Sequence, residues 1–155
     1  MKNTFLIVSF SLIVSSCFTS NLNNYKNKKY FKESTLIQDK NPTSLKQSFC
    51  YNKPGVIDEE FCYELFINFI DTNKAKEKKT LNIQLDTNIV SCSFGRFSVW
   101  DWSGGQKTLT GNIEILSWKN SSITIKQNIK IKELKNNTTK NIKGIRSFKK
   151  LVTPK

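Results

Sequence analysis

The chain has 155 residues, the length of one domain with short accessory segments. Apolar residues make up 37% of it, which excludes a polytopic membrane protein. It has 25 Lys and Arg against 12 Asp and Glu, a formal charge of +13, and its lack of His excludes imidazole bases and every His-ligated metal site.

The first residues have the three parts of an export signal. Lys2 provides a positive start, residues 5–14 provide an apolar run, and two small serines precede Cys17. As a helix, the run of about ten residues would span roughly 15 Å, half of the hydrocarbon thickness, so it is too short for an ordinary transmembrane helix. We therefore predict that residues 1–16 are a signal peptide.

The end of this signal, Val14-Ser15-Ser16-Cys17, resembles the lipobox of bacterial lipoproteins. In that family the Cys thiol is acylated and the signal is cut just before it, so the resemblance implies a lipid anchor at Cys17. Val14 and Ser16 stand where the family often has Leu and Gly or Ala. Phe18 replaces the Asp that retains some lipoproteins at the inner membrane, which implies an outer-membrane location, with the domain in the periplasm or at the cell surface. The alternative is an ordinary secretory signal that contains a Cys.

Residues 18–48 are rich in Asn, Lys and Ser and have neither a helical nor a strand period. Such a segment buries too little apolar surface to offset the entropy lost on ordering. We predict that residues 17–48 are the lipidated Cys and a disordered tether, with a typical reach of about 30 Å. Residues 49–155 would then form the globular domain.

Three cysteines remain after Cys17. Cys50 and Cys62 flank the turn Pro54-Gly55, and their spacing favours a disulfide that would stabilise the fold by about 3 kcal/mol. Three unpaired thiols, with Cys92 as a core residue, are the alternative. Because the chain has no CxxC or other metal-ligand spacing, we predict neither a metal nor a cofactor.

From residue 49 onward the pattern is that of β-strands. Alternating apolar residues predict strands over 61–70, 80–85, 109–118 and 123–134, and two shorter strands near 89–90 and 142–148. The fold class predicted is mainly β, a single antiparallel β-sandwich or small barrel-like domain with six or seven strands.

The pattern also predicts which side chains are buried and how many helices to expect. Leu81, Ile83 and Leu85 alternate and are expected to face inward, whereas residues 71–79 have the composition of a charged loop. Gln127 is a polar residue at a position expected to be buried. No window of about a dozen residues has a helical apolar stripe, so few helices are expected.

Residues 94–105 are the densest aromatic stretch. If they are extended, Trp100 and Trp102 project to one face, with Arg96 and Asp101 nearby. Two neighbouring Trp rings can stack on sugars or form a hot spot for protein binding. The alternative is that these rings belong to the core of the domain.

The C-terminal part is strongly basic, since residues 103–155 contain twelve Lys and Arg against two Glu. Lys126, Lys130 and Lys132 share strand parity and would line one surface. Such a surface favours an anionic envelope component, such as phospholipid, lipopolysaccharide or an acidic glycan, or another envelope protein. Nucleic acid is not expected as a partner of an exported protein. Solvated lysines that protect strand edges from aggregation are the alternative.

The acidic residues do not define an active site. Asp58-Glu59-Glu60 and Glu64 have no spacing that identifies a catalytic carboxylate pair, and Walker, dinucleotide-binding and EF-hand patterns are absent. We therefore predict a non-enzymatic, membrane-anchored binding or structural lipoprotein. A small β-barrel carrier of a hydrophobic ligand is the second hypothesis, which a count of six or seven strands disfavours. An envelope hydrolase is the third.

Overall fold

The computed structural model describes residues 19–21, 31–38, 43–51, 61–98, 107–134 and 137–150. These residues form nine strands and one short helix: β1 (Thr19–Asn21), β2 (Phe31–Gln38), β3 (Thr43–Tyr51), β4 (Phe61–Phe69), α1 (Thr72–Lys78), β5 (Thr80–Asn82), β6 (Val90–Ser98), β7 (Lys107–Lys119), β8 (Ser122–Glu133) and β9 (Thr138–Lys150).

The strands form one sheet in the order β5-β7-β8-β9-β2-β3-β4-β6, with β1 also paired to β9. Eight of them make a nearly closed, barrel-like sheet, so the predicted mainly β, barrel-like domain is confirmed. Most neighbours are antiparallel, but β1 and β2 both run parallel to β9. The described strands also exceed the expected six or seven.

The core lies inside this curved sheet. Successive side chains of a strand point to opposite faces, and in β8 the odd-numbered residues from Ile123 to Ile131 are buried. Gln127 is among them, as its position in the pattern predicted. The facing strands contribute large side chains that are fully buried, among them Leu45, Phe49, Leu65, Ile67 and Phe69.

Part of the predicted tether over residues 17–48 is sheet in the structure, because β2 and most of β3 fall within it. Ile37 and Leu45 are buried, and they pair directly across the two strands. The sequence pattern did not indicate these two strands, because Glu33 and Gln47, which also lie on their inner faces, are polar and interrupt the apolar alternation. The ordered domain therefore begins well before residue 49.

The predicted charged loop at residues 71–79 is wrong over most of its length, since α1 occupies it. The carboxylate of Asp71 caps the helix by accepting a hydrogen bond of 3.0 Å from the backbone N–H of Lys74. This hydrogen bond lowers the pKa of Asp71. The helix has only seven residues and buries only Ala75, so it is too short to show an apolar stripe.

The predicted strand over residues 80–85 is wrong beyond residue 82. Leu81 and Ile83 are buried as expected, but Leu85 is 81% exposed. The chain turns because the side-chain oxygen of Asn82 accepts hydrogen bonds from the backbone N–H groups of Gln84 and Leu85. Asp86 closes this turn by accepting from Lys78 and from the backbone of Asn82, and these bonds lower its pKa.

The cysteines after Cys17 fall into two environments. Cys50 of β3 and Cys62 of β4 lie directly opposite each other, with their Cα atoms 4.1 Å apart, and are joined by a disulfide. Cys92 of β6 is a free thiol that is largely shielded from solvent. Burial raises its pKa to about 12, so very little of this thiol is in the reactive thiolate form near neutral pH.

Candidate functional site

The candidate site lies on the outer face of the β7–β8–β9 sheet. Because the odd-numbered residues of β8 point into the core, its even-numbered residues point outward. Lys126, Lys130 and Lys132 are all exposed on this outer face, together with Asn128. The three lysines that sequence parity grouped thus lie along one strand on one surface.

The flanking strands extend this surface with polar residues. Each outward residue of β8 has one direct neighbour on β7 and one on β9. We call the whole set the lysine face: Thr108, Thr110, Asn112 and Glu114 of β7; Lys126, Asn128, Lys130 and Lys132 of β8; and Thr139, Asn141, Lys143 and Ile145 of β9. It carries four lysines and a single glutamate, so its charge is positive.

A groove of about 530 Å³ crosses the lysine face at one end. It is lined by polar residues and by the apolar Ile145: Thr80, Asn112, Glu114, Lys126, Gln127, Asn128, Lys143, Gly144 and Ile145. These ammonium and amide groups donate hydrogen bonds to carboxylate, phosphate or hydroxyl oxygens. The groove therefore offers cationic and neutral donors within one concave surface.

The three lysines of β8 on this face, Lys126, Lys130 and Lys132, are available to a ligand. Lys126 Nζ lies 3.1 Å from Glu114 Oε2, but the two side chains are 61% and 43% exposed, and such a surface pair contributes little. Within the described ranges, Lys130 and Lys132 have no ion-pair partner. An anionic ligand can contact all three without breaking a strong interaction.

A network of polar side chains inside the barrel supports β8 beneath the groove. Arg146 of β9 donates from Nε to the Glu33 carboxylate of β2, which also accepts from Gln47 Nε2 of β3 at 2.6 Å. Gln47 Oε1 in turn accepts from Gln127 Nε2 at 2.7 Å. Since Gln127 lies between Lys126 and Asn128, this network fixes the strand that carries the groove residues.

Some basic residues of the C-terminal region point into the barrel and do not belong to the lysine face. Arg146 is one, with its side chain 13% exposed. Lys140 is another, with its side chain 11% exposed, and its Nζ lies 2.8 Å from Glu133 Oε1 and 4.1 Å from the ring centroid of Tyr63. The Tyr63 ring stacks on Phe94, with centroids 5.6 Å apart. Strand parity with Ile142 and Phe148 could have indicated that Arg146 points inward, whereas Lys140 lies before the predicted strand and no local pattern identifies it.

The structure does not describe the side chains of the predicted lipidation site and of the aromatic stretch. Cys17, Trp100, Asp101 and Trp102 lie outside the described residues, and Arg96 is in β6 with a side chain that is also outside them. In the described part of the chain, no group of three Cys, Asp or Glu side chains is arranged to hold a metal. That part also has no helix of the length and apolarity that crossing a membrane requires.

No protein-family model matches this chain. Likewise, no curated protein and no solved structure matches it. Its function is therefore inferred from its own residues.

Proposed function

We propose that this protein is a membrane-anchored envelope lipoprotein that is acylated at Cys17 and acts as a non-catalytic binding module. The lysine face would bind an anionic component of the envelope. The observation that carries this proposal is the exposure of Lys126, Lys130 and Lys132 on one face of β8, with Lys143 beside them and Glu114 as the single acid.

The chemistry of the face suits a repeating anionic partner. Lys130 and Lys132 are two residues apart on one strand, so their Cα atoms are about 7 Å apart on the same side. Two such ammonium groups can contact adjacent phosphates or carboxylates, while Thr and Asn neighbours donate to hydroxyl and ester oxygens. Binding of this kind is fast, reversible and weakened by salt.

The carrier hypothesis is less well supported, although the barrel has more strands than expected. Inner residues of the facing strands, including Leu65, Phe69 and Ile129, are fully buried and belong to one apolar cluster. A hydrophobic ligand would have to displace these packed side chains. An outer surface rich in exposed donors needs no such rearrangement.

The proposal predicts a specific binding defect. Replacing Lys126, Lys130 and Lys132 together by Gln should weaken binding of polyphosphate or polygalacturonate to the full-length protein by about 100-fold at low salt, at about 1 kcal/mol for each lysine. Biolayer interferometry with the detergent-solubilised protein immobilised measures this. The affinity of the variant should also depend less steeply on salt concentration.

The matched control removes the same charge elsewhere. Lys74, Lys79 and Lys119 are exposed and lie outside the lysine face, so their replacement by Gln should change the affinity less than about threefold. Equal losses in the two triple variants would mean that net charge alone attracts the polymer, and the proposed face would be wrong. Melting curves of both variants check that the fold is retained.

A further inference from the structure

We infer that the anionic partner of the lysine face is the headgroup layer of the membrane that holds Cys17. The Lys132 end of β8 would lie against the bilayer and the Lys126 end away from it. This inference rests on the proposed function, because it takes the lipid anchor at Cys17 as its starting point. It specifies the partner of the lysine face and the orientation of the barrel on the membrane.

β1 lies beside the first residues of β9. Thr19–Asn21 pairs in parallel with β9, and Thr19 lies opposite Thr139 near the start of that strand. An acyl group at Cys17 would be attached only two residues before Thr19 in the sequence, and two residues of chain span at most about 7 Å. An acyl anchor at Cys17 would therefore hold this end of the barrel at the bilayer, in place of the roughly 30 Å separation expected of a free tether.

The register across the sheet brings β1 close to the Lys132 end of β8. Thr139, the partner of Thr19, lies opposite Lys132, and Asn141 lies opposite Lys130. Neighbouring strands are about 4.8 Å apart, so the Cα atoms of Thr19 and Lys132 are about 10 Å apart. The anchor and Lys132 thus belong to the same end of the barrel.

Lys126 lies far from Lys132 along β8. It is six residues from Lys132 along β8, or about 20 Å, and about 15 Å in height if the strand is tilted by about 40° as in other barrels. The field of a charged membrane decays over about 8–10 Å at physiological salt. Lys132 and Lys130 would lie within this field, whereas Lys126 would lie largely beyond it.

The end of β8 near β1 carries an exposed apolar residue. Leu134 follows β8 at this end and is 50% exposed, beside the exposed Lys132. Apolar side chains next to lysines are typical of surfaces that contact anionic bilayers.

The orientation can be measured with one fluorescent label at either end of β8. Cys50 and Cys62 are disulfide-bonded and the Cys92 thiol has a pKa of about 12, so an introduced exposed Cys is labelled selectively near neutral pH. We would label Leu134→Cys and Ser121→Cys with nitrobenzoxadiazole in the acylated full-length protein. Vesicles of phosphatidylglycerol and phosphatidylcholine would contain a lipid with a nitroxide headgroup as quencher.

The label at position 134 should be quenched at least threefold more strongly than the label at position 121. Lys132→Gln or Lys130→Gln should lower the quenching at position 134 about twofold. Lys119→Gln removes an exposed charge outside the lysine face, at the far end of β8, and should leave the quenching unchanged. Equal quenching at the two positions, or stronger quenching at 121, would overturn the inference.

Failure of the inference is distinguishable from failure of the proposed function. If the protein floats with vesicles but the two labels are quenched equally, the anchor stands and the orientation is wrong. If the protein does not float with these vesicles, the lipid anchor itself is wrong. If Lys126→Gln weakens polyphosphate binding as much as Lys132→Gln and no orientation is found, the lysine face binds a free polymer and the bilayer is not its partner.

Discussion

Replacing Arg146 by Met should lower the free energy of unfolding by about 3 kcal/mol. The Arg146 guanidinium and the Glu33 carboxylate form an ion pair inside the barrel, with their side chains only 13% and 17% exposed. Removal of one partner leaves the other charge in a poorly solvated place, which typically costs about 3–5 kcal/mol when the pair is fully buried. Because this pair is slightly exposed, we expect the loss of unfolding free energy to lie at the lower limit of that range.

Urea denaturation followed by circular dichroism measures this loss. The control is Lys126→Met, which removes one partner of an exposed pair whose side chains are 61% and 43% accessible. Its effect should be at most about 1 kcal/mol, because solvent already screens that pair. If the two variants unfold at the same urea concentration, the Arg146–Glu33 pair does not contribute as the structure indicates.

Gly111→Ala should destabilise the barrel by about 4 kcal/mol. Gly111 of β7 has a φ of +127°, and a Cβ atom there would lie 2.0 Å from the backbone oxygen of Asn128 on the adjacent strand. Both the unfavourable backbone conformation and the overlap contribute, each by about 1–3 kcal/mol. Relief of the overlap requires β7 and β8 to separate beneath the lysine face.

The matched control is Gly144→Ala in β9. Its φ of +119° imposes a similar backbone strain, but the new Cβ atom would meet only the Arg146 side chain, at 3.0 Å. A side-chain terminus can move where a backbone oxygen cannot, so a loss of about 2 kcal/mol is expected. Equal unfolding midpoints for the two alanine variants would show that the overlap with Asn128 is relieved at little cost.

The strands with clear apolar alternation were predictable from the sequence. β4, β7 and β8 match the predicted segments because apolar residues recur at alternate positions along each of them. β2 and β3 were not recognised, because Glu33 and Gln47 occupy inner positions. Their partners Arg146 and Gln127 lie 113 and 80 residues away, a relation that no local pattern contains.

The candidate site was predictable only in part, for a related reason. The parity of Lys126, Lys130 and Lys132 follows from strand periodicity, and so does their common face. The groove depends on residues that β7 and β9 bring beside them, and this requires the register of three strands. No local pattern distinguishes Lys140 from a surface lysine, yet its side chain points into the barrel, where it contacts Glu133 and the Tyr63 ring.

The most direct test of the proposed lipoprotein is the intact mass of the protein extracted from membranes, with Cys17→Ala in parallel. We expect a mass equal to a chain that begins at Cys17 plus its acyl groups, and loss of those groups in the variant. An unacylated N-terminus would contradict the lipid anchor. The protein would then be freely secreted, and the orientation inferred from the anchor would be wrong as well.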